Sequence, residues 1–361
     1  MEMVLNPIII LLVFIVVGFV FFYWNCLRVS GGGRLVEGFN VDYLATLQKH
    51  KDEGGHFPYR YLCDENQKIL PIVFVVAFFR DDKERITMYN EYVENGIDLV
   101  GITAYKTFPK PITDKTGDSE TQNDPFDYYG KIQNWLSCFE KPSHYGFLPT
   151  NRLANISESD FYDAETTQVA SADKKYDFIY VCLADDNKTC PMDGWNAVNR
   201  NFALALKCFP IMIDEMGLKV LVVGRVGCGL EKLYGDKITV VDFLPYHEFQ
   251  DKLRESRYLF VPNVYDASPR VISESIVKGL YVLLNRNIVC GAKYVTEETG
   301  ELFTDENDIR LAIQKLMAKK TDSQKWWSEN YSKKKSGKKM RDILNDWFPE
   351  KLKDVKEVYF Y

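Results

Sequence analysis

Tyr258-Leu-Phe-Val-Pro-Asn-Val-Tyr-Asp266-Ala-Ser268-Pro269-Arg270-Val-Ile-Ser-Glu274-Ser-Ile-Val-Lys-Gly279-Leu-Tyr-Val-Leu-Leu-Asn285 decides the fold. Its apolar start, Tyr258–Val261, reads as a strand. Ser268 suits a helix N-cap and Pro269 the first helical position, so a helix is expected over Val271–Val277. Gly279 stops it, and Val282–Leu284 reads as the next strand. Strand, loop, helix, strand is the repeating unit of a doubly wound parallel sheet. Its loop lies at the carboxyl edge, where such sheets bind ligands, and a helix start offers N–H groups and a positive dipole end to an anion. Asp266 precedes the cap and Glu274 follows six residues after it, roughly 9 Å along the helix. A carboxylate at that distance from a bound diphosphate can accept ribose hydroxyls, and a second one near the phosphates can hold hydroxyls of an attached sugar. The plainer alternative is an acid at a helix start followed by an exposed helical Glu.

Working outward, the same alternation continues on both sides. Phe178–Cys182, Val220–Val223 and Ile238–Phe243 read as strands, and Glu248–Glu255 and Ile309–Met317 as helices. A long helix is expected over Trp195–Met216, bent at Pro210. Upstream, Ile72–Phe79 is a continuous apolar run, as in a strand buried on both faces. Asp81-Asp82 then caps a helix carrying Ile86, Tyr89, Tyr92 and Val93, and Ile97–Thr103 is a further strand. Residues 107–130 read as a long loop. The expected fold is α/β, with two Rossmann-like domains facing across a cleft and an N-terminal transmembrane helix. The divisions are 1–27 anchor, 28–68 linker and start of the N-terminal domain, 69–170 N-terminal domain, 171–320 C-terminal domain and 321–361 helical tail. Trp326, Trp327 and Trp347 are expected to pack that tail on the body.

The anchor rests on a stretch without Asp, Glu, Lys or Arg from Met3 to Leu27, with an apolar run Ile8–Trp24 of roughly 25 Å. Tyr23 and Trp24 suit an interfacial belt. Arg28, Arg34, Lys49 and Lys51 follow the span and none precedes it, which places the globular part on the cytoplasmic side; a luminal orientation is the alternative. Three sequons, at Asn155, Asn187 and Asn330, do not settle the side. The eight cysteines form neither CxxC nor Cys/His zinc spacings and read as free, mostly buried thiols in a reducing compartment. Lys+Arg 45 against Asp+Glu 51 gives a net charge of −6, which argues against a nucleic-acid partner.

The acidic pair also carries a resemblance. Asp266-x7-Glu274, with Ser-Pro-Arg between and Gly-Leu-Tyr-Val-Leu after, resembles the E-x7-E motif of family 4 glycosyltransferases, which have the GT-B fold and retain anomeric configuration. Tyr176–Cys182, Gly194–Asn201, Val222–Arg225, Phe243–Phe249 and Asn285–Gly291 make the chain similar to glycosyltransferases of chloroviruses and algae, over roughly 70–345. The resemblance implies a nucleotide-sugar donor held by the C-terminal domain and a glycan or glycoprotein acceptor met by the N-terminal domain. GDP-mannose is favoured over a UDP-sugar. Glu274 would hold the ribose, Asp266 would approach the transferred sugar, Ser268, Pro269 and Arg270 would meet the diphosphate, and Leu244 would lie at the base. No metal and no cofactor is implied, because side-chain cations and helix dipoles neutralise the diphosphate.

Two departures matter. The first acid is Asp, one methylene shorter. The loop after the first strand of the C-terminal domain, Leu183-Ala-Asp-Asp-Asn-Lys188, lacks the Arg and Lys often found there, so Arg225, Lys188, Arg200 or Arg270 must supply the cation. Arg225, at the end of a buried strand, is the favoured one, with capping of a neighbouring helix as its alternative role. Gly224-Arg-Val-Gly-Cys-Gly229 has the wrong order for a dinucleotide loop. The basic cluster Lys333–Arg341 reads as a solvated face that could also meet anionic lipid. A membrane-anchored retaining hexosyltransferase is the expected activity. The alternative is a non-catalytic sugar-nucleotide or glycan-binding module of the same fold.

Overall fold

The computed structural model describes residues 41–103, 108–110, 124–139, 153–163, 173–186, 189–266 and 270–361. The expected anchor 1–27, Asn187, Lys188, Ser268 and Pro269 lie outside the described residues, as do most of 107–130 and all of 164–172. No helix among the described residues is long and apolar enough to cross a membrane.

Strands β1 (Tyr59–Asp64), β2 (Ile69–Val75), β3 (Asp98–Thr103), β4 (Asn134–Ser137) and β5 (Leu153–Asn155) belong to one sheet. Strands β6 (Tyr176–Val181), β7 (Val220–Val223), β8 (Ile238–Val241), β9 (Ser256–Val261), β10 (Tyr281–Asn285) and β11 (Gly300–Phe303) form the other. The last strand, β12 (Val358–Phe360), returns to the first sheet, whose order is β12-β1-β2-β3-β4-β5. The second sheet runs β11-β10-β9-β6-β7-β8, parallel throughout.

Both sheets are covered on both faces, which is why their central strands read as unbroken apolar runs. On β2, Val73 and Val75 enter one core while Ile72 and Phe74 enter another. On β6, Phe178 and Tyr180 face one core and Ile179 the opposite one. The helix Lys83–Glu94 starts where Asp82 accepts the N–H groups of Glu84 and Arg85.

Several expectations change. The apolar run 72–79 is strand only to Val75; Phe79 instead packs in the core and donates its N–H to the Tyr128 hydroxyl at 2.5 Å. The stretch expected as linker holds a helix, Val41–Asp52, and β1, which pairs antiparallel with β2. Its turn is fixed by Asp64, whose carboxylate accepts the N–H of Asn66 and Lys68. The tail is not only helical. Helices Ser323–Asn330 and Lys333–Trp347 lead back to β12, which pairs antiparallel with β1. The basic cluster is partly engaged in that packing: Arg341 donates to Val355 O at 2.8 Å and Lys339 to Asn155 O at 3.2 Å.

The cysteine reading is also corrected. Cys190 and Cys228 form a disulfide, 38 residues apart in sequence. Cys63, Cys138, Cys182, Cys208 and Cys290 are buried and form no disulfide. The disulfide closes because the loops after β6 and β7, adjacent parallel strands, emerge side by side at the same sheet edge. Sequence spacing does not carry that proximity. It removes the support that free thiols lent to a reducing compartment.

Candidate functional site

The second sheet reverses direction once. β6, β7 and β8 step outward, and β9 then returns to the other side of β6. The loops after β6 and β9 therefore diverge and leave a crevice at the carboxyl ends, the usual ligand position in such sheets. A cleft of ≈ 250 Å³ opens there. Val181 at the end of β6 and Leu259–Val261 of β9 form its base; Arg200, Asp266, Arg270 and Glu274 supply its charges.

Both acids are nearly buried, Asp266 at 6% and Glu274 at 8% exposure. A buried carboxylate needs a partner, and each has one. Asp266 is in an ion pair with Arg200 and accepts from Asn263 Nδ2 at 3.0 Å. Glu274 accepts from the Tyr162 hydroxyl at 2.8 Å. It lies in the helix Arg270–Ile276, whose first residue, Arg270, is exposed beside the cleft.

Arg200 arrives by a break in the chain rather than by a bend at Pro210. The helix expected over 195–216 is interrupted at Asn201, which is left-handed with φ 49° and ψ 53°. Asn tolerates this conformation better than most residues. Its side-chain amide donates to Pro262 O at 3.0 Å, tying the break to the loop after β9. Asn285 Nδ2 donates to the same carbonyl at 3.3 Å. The helix Trp195–Asn199 thus ends on Arg200, whose carbonyl accepts the Tyr180 hydroxyl at 3.0 Å. Burial lowers the Arg200 pKa from its ordinary value.

Arg225, expected to face the leaving diphosphate, is instead folded into the domain at 1% exposure. Its Nη2 donates to Asp185 Oδ2 at 2.9 Å, its Nε to Cys182 Sγ at 3.1 Å and its Nη1 to Pro191 O at 3.3 Å. The guanidinium also lies over the Phe202 ring, 4.7 Å from the centroid. Asp185 in turn accepts the N–H groups of Asn196 and Ala197, so Arg225 acts through Asp185 as the cap of a neighbouring helix. Burial pushes the Asp185 carboxyl up, but those two N–H donors and Arg225 outweigh it and hold the pKa below its ordinary value. Gly224, with φ +91°, makes the turn; a Cβ there would meet Cys182 O at 2.2 Å. Leu244 is half-buried against the core beside β9 and does not line the cleft.

The structure therefore brings Asp266, Glu274, Arg200 and Arg270 together and sets Arg225 and Leu244 apart. Sequence reading missed Tyr162 and Asn263. Asn263 sits three residues before Asp266 in the decisive stretch, a spacing that could have suggested a local side-chain bond; Tyr162 is 112 residues from Glu274 and left no signal.

Two α/β domains, a parallel second sheet and a C-terminal segment that returns to the first domain define the GT-B fold of glycosyltransferases. The chain is similar to TarM of S. aureus, with TM-score 0.51 and 13% identity over 77% of this chain and 54% of TarM. It is also similar to sucrose-phosphate synthase from Thermosynechococcus elongatus, with TM-score 0.51 and 13% identity over 88% of this chain and 80% of that one. The lipopolysaccharide outer core galactosyltransferase WaaB matches with TM-score 0.50 and 10% identity over 76% of this chain and 75% of its own. The chain spans about half the length of TarM. No family model matches it, and no curated protein matches its sequence.

Proposed function

We propose that the chain is a retaining glycosyltransferase that moves a hexose from a nucleotide sugar to a glycan acceptor. The observation that carries this reading is the cleft at the β6/β9 reversal, where two buried carboxylates and two arginines meet. Glu274 binds the ribose hydroxyls and Asp266 orients the transferred sugar. Arg200 and Arg270 face the diphosphate, taking the role expected of Arg225. Lys188, Ser268 and Pro269 keep their proposed place beside the phosphates on sequence alone. The acceptor hydroxyl attacks the anomeric carbon on the face that the nucleoside diphosphate leaves. The departing phosphate oxygen takes the hydroxyl proton, so no protein nucleophile and no metal enters. The chain's contribution is positioning and charge stabilisation.

The resemblance to family 4 enzymes favours GDP-mannose. TarM, whose fold this chain shares, has been seen with UDP and alpha-GlcNAc-glycerol, which favours a UDP-sugar. Donor panels run side by side rank the two. Product analysis with labelled donor tests the activity: Glu274→Ala is expected to abolish transfer, and undiminished turnover in that variant removes the assigned role. Slow donor hydrolysis without acceptor separates the enzyme from a pure binding module, which shows none.

Residues 1–27 are proposed as a membrane anchor on their composition. The flanking Lys and Arg favour a cytoplasmic side for the domains, whereas the Cys190–Cys228 disulfide suits an oxidising lumen. A glycosidase-sensitive mobility shift of the cell-expressed protein assigns the lumen; resistance assigns the cytoplasm.

A further inference from the structure

The segment that links the two sheets passes beside the cleft and is fixed on both sides of one tyrosine. After β5 the chain makes a short turn, Glu158–Phe161, around Asp160, which is 1% exposed. The Asp160 carboxylate accepts the Tyr294 hydroxyl at 2.5 Å, the Lys293 ammonium at 2.8 Å and the Ser157 N–H at 3.0 Å. Its carbonyl accepts the Ser336 hydroxyl of the returning tail at 2.6 Å. Asp163 takes the N–H of Lys333 at 2.8 Å. Trp327, fully buried, donates its Nε1–H to the Tyr162 carbonyl at 2.7 Å. Between these fixed points the Tyr162 hydroxyl donates to Glu274 Oε1 at 2.8 Å. Burial, helped by the Glu274 charge, pushes the Tyr162 hydroxyl well above its ordinary pKa, so it stays a protonated donor.

We infer that Tyr162 is a positioning residue for the nucleotide, holding one oxygen of Glu274 so that the other is left for the ligand. The donor-binding carboxylate is then aimed by the interdomain segment and the tail, not by its own helix alone. Rotation of a free Glu side chain is lost before the ligand arrives, and affinity depends on how 157–163 is held. This rests on the reading that Glu274 meets the donor.

The test is calorimetric titration of the full chain with UDP and, separately, GDP. Tyr162→Phe keeps the ring and its packing and removes only the hydroxyl. It is expected to weaken binding of the better nucleotide about 3- to 10-fold, with a modest fall in the unfolding midpoint because Glu274 loses a partner. Glu274→Gln is expected to weaken it at least tenfold, and the double variant no further than Glu274→Gln alone, because the two side chains act as one unit. In turnover, Tyr162→Phe is expected to raise the donor KM and leave kcat unchanged. Wild-type or tighter binding by Tyr162→Phe, or losses that add in the double variant, overturns the inference while leaving the cleft as the donor site. Undiminished binding by Glu274→Gln, or no binding of either nucleotide by the unaltered chain, overturns the donor reading and this inference with it.

Discussion

Two Asp–Arg pairs stand at the carboxyl edge of the second sheet, and they differ in what surrounds them. Asp185–Arg225 is closed: the guanidinium is 1% exposed, its three nitrogens are engaged by protein, an aromatic ring covers it and a disulfide spans the same two loops. Asp266–Arg200 is more open: the Arg200 side chain retains 28% exposure and both side chains line a cleft. The same two residue types therefore hold the fold together in one place and line an open cleft in the other. Enclosure decides which, because a guanidinium covered by protein on every side cannot meet a phosphate, whatever N–H donors it has left.

The largest expected effects are on the closed pair and the disulfide beside it. Arg225→Ala removes a side chain that is 1% exposed, with its three hydrogen bonds and its contact with Phe202, and is expected to cost about 2–4 kcal/mol of stability, read by denaturant unfolding. A loss below 1 kcal/mol, with transfer abolished, would return Arg225 to the site. Reducing or removing the Cys190–Cys228 disulfide, which closes a loop of 38 residues, is expected to cost about 4 kcal/mol, and its presence is checked by non-reducing peptide mapping. Arg200→Ala is expected to act mainly on turnover: transfer falls about 100-fold, near 2.7 kcal/mol in the barrier, while the loss of stability is smaller than for Arg225→Ala because Asp266 keeps the Asn263 amide as a partner. A folding defect comparable to that of Arg225→Ala would erase the distinction between the pairs.

The smallest effect is in acid. The folded Asp185 carboxyl lies below its ordinary value of 3.8. Its contribution is therefore full above that value and is lost as pH falls through the lower folded one. The stability gap between the unaltered chain and Asp185→Asn is expected to be constant at neutral pH and to narrow below about pH 4. A gap independent of pH would mean that the carboxylate charge plays no part.

The second domain was the more legible in sequence. Its strands are short apolar runs separated by capped helices, and Asp266 and Glu274 fall after β9 and on the helix Arg270–Ile276. Arg225 was misread because strand position gives the end of the sheet but not the direction of a long side chain, and Gly224 at φ +91° turns the chain beneath itself. The break at Asn201 escaped because Pro210 is the stronger local punctuation; there the chain continues as a π-helical turn, Pro210–Glu215, since nothing opposes its missing N–H. Tyr162, the disulfide and the return of β12 depend on contacts between distant segments, which no local pattern encodes.

Calorimetric titration of the unaltered chain and of Glu274→Ala with UDP-sugars and GDP-mannose addresses the site most directly. The expected result is saturable one-to-one binding of one donor by the unaltered chain and at least a tenfold loss, about 1.4 kcal/mol, in the variant. Equal affinity in the two proteins would contradict the assignment of the β6/β9 cleft as the place where a nucleotide sugar is held.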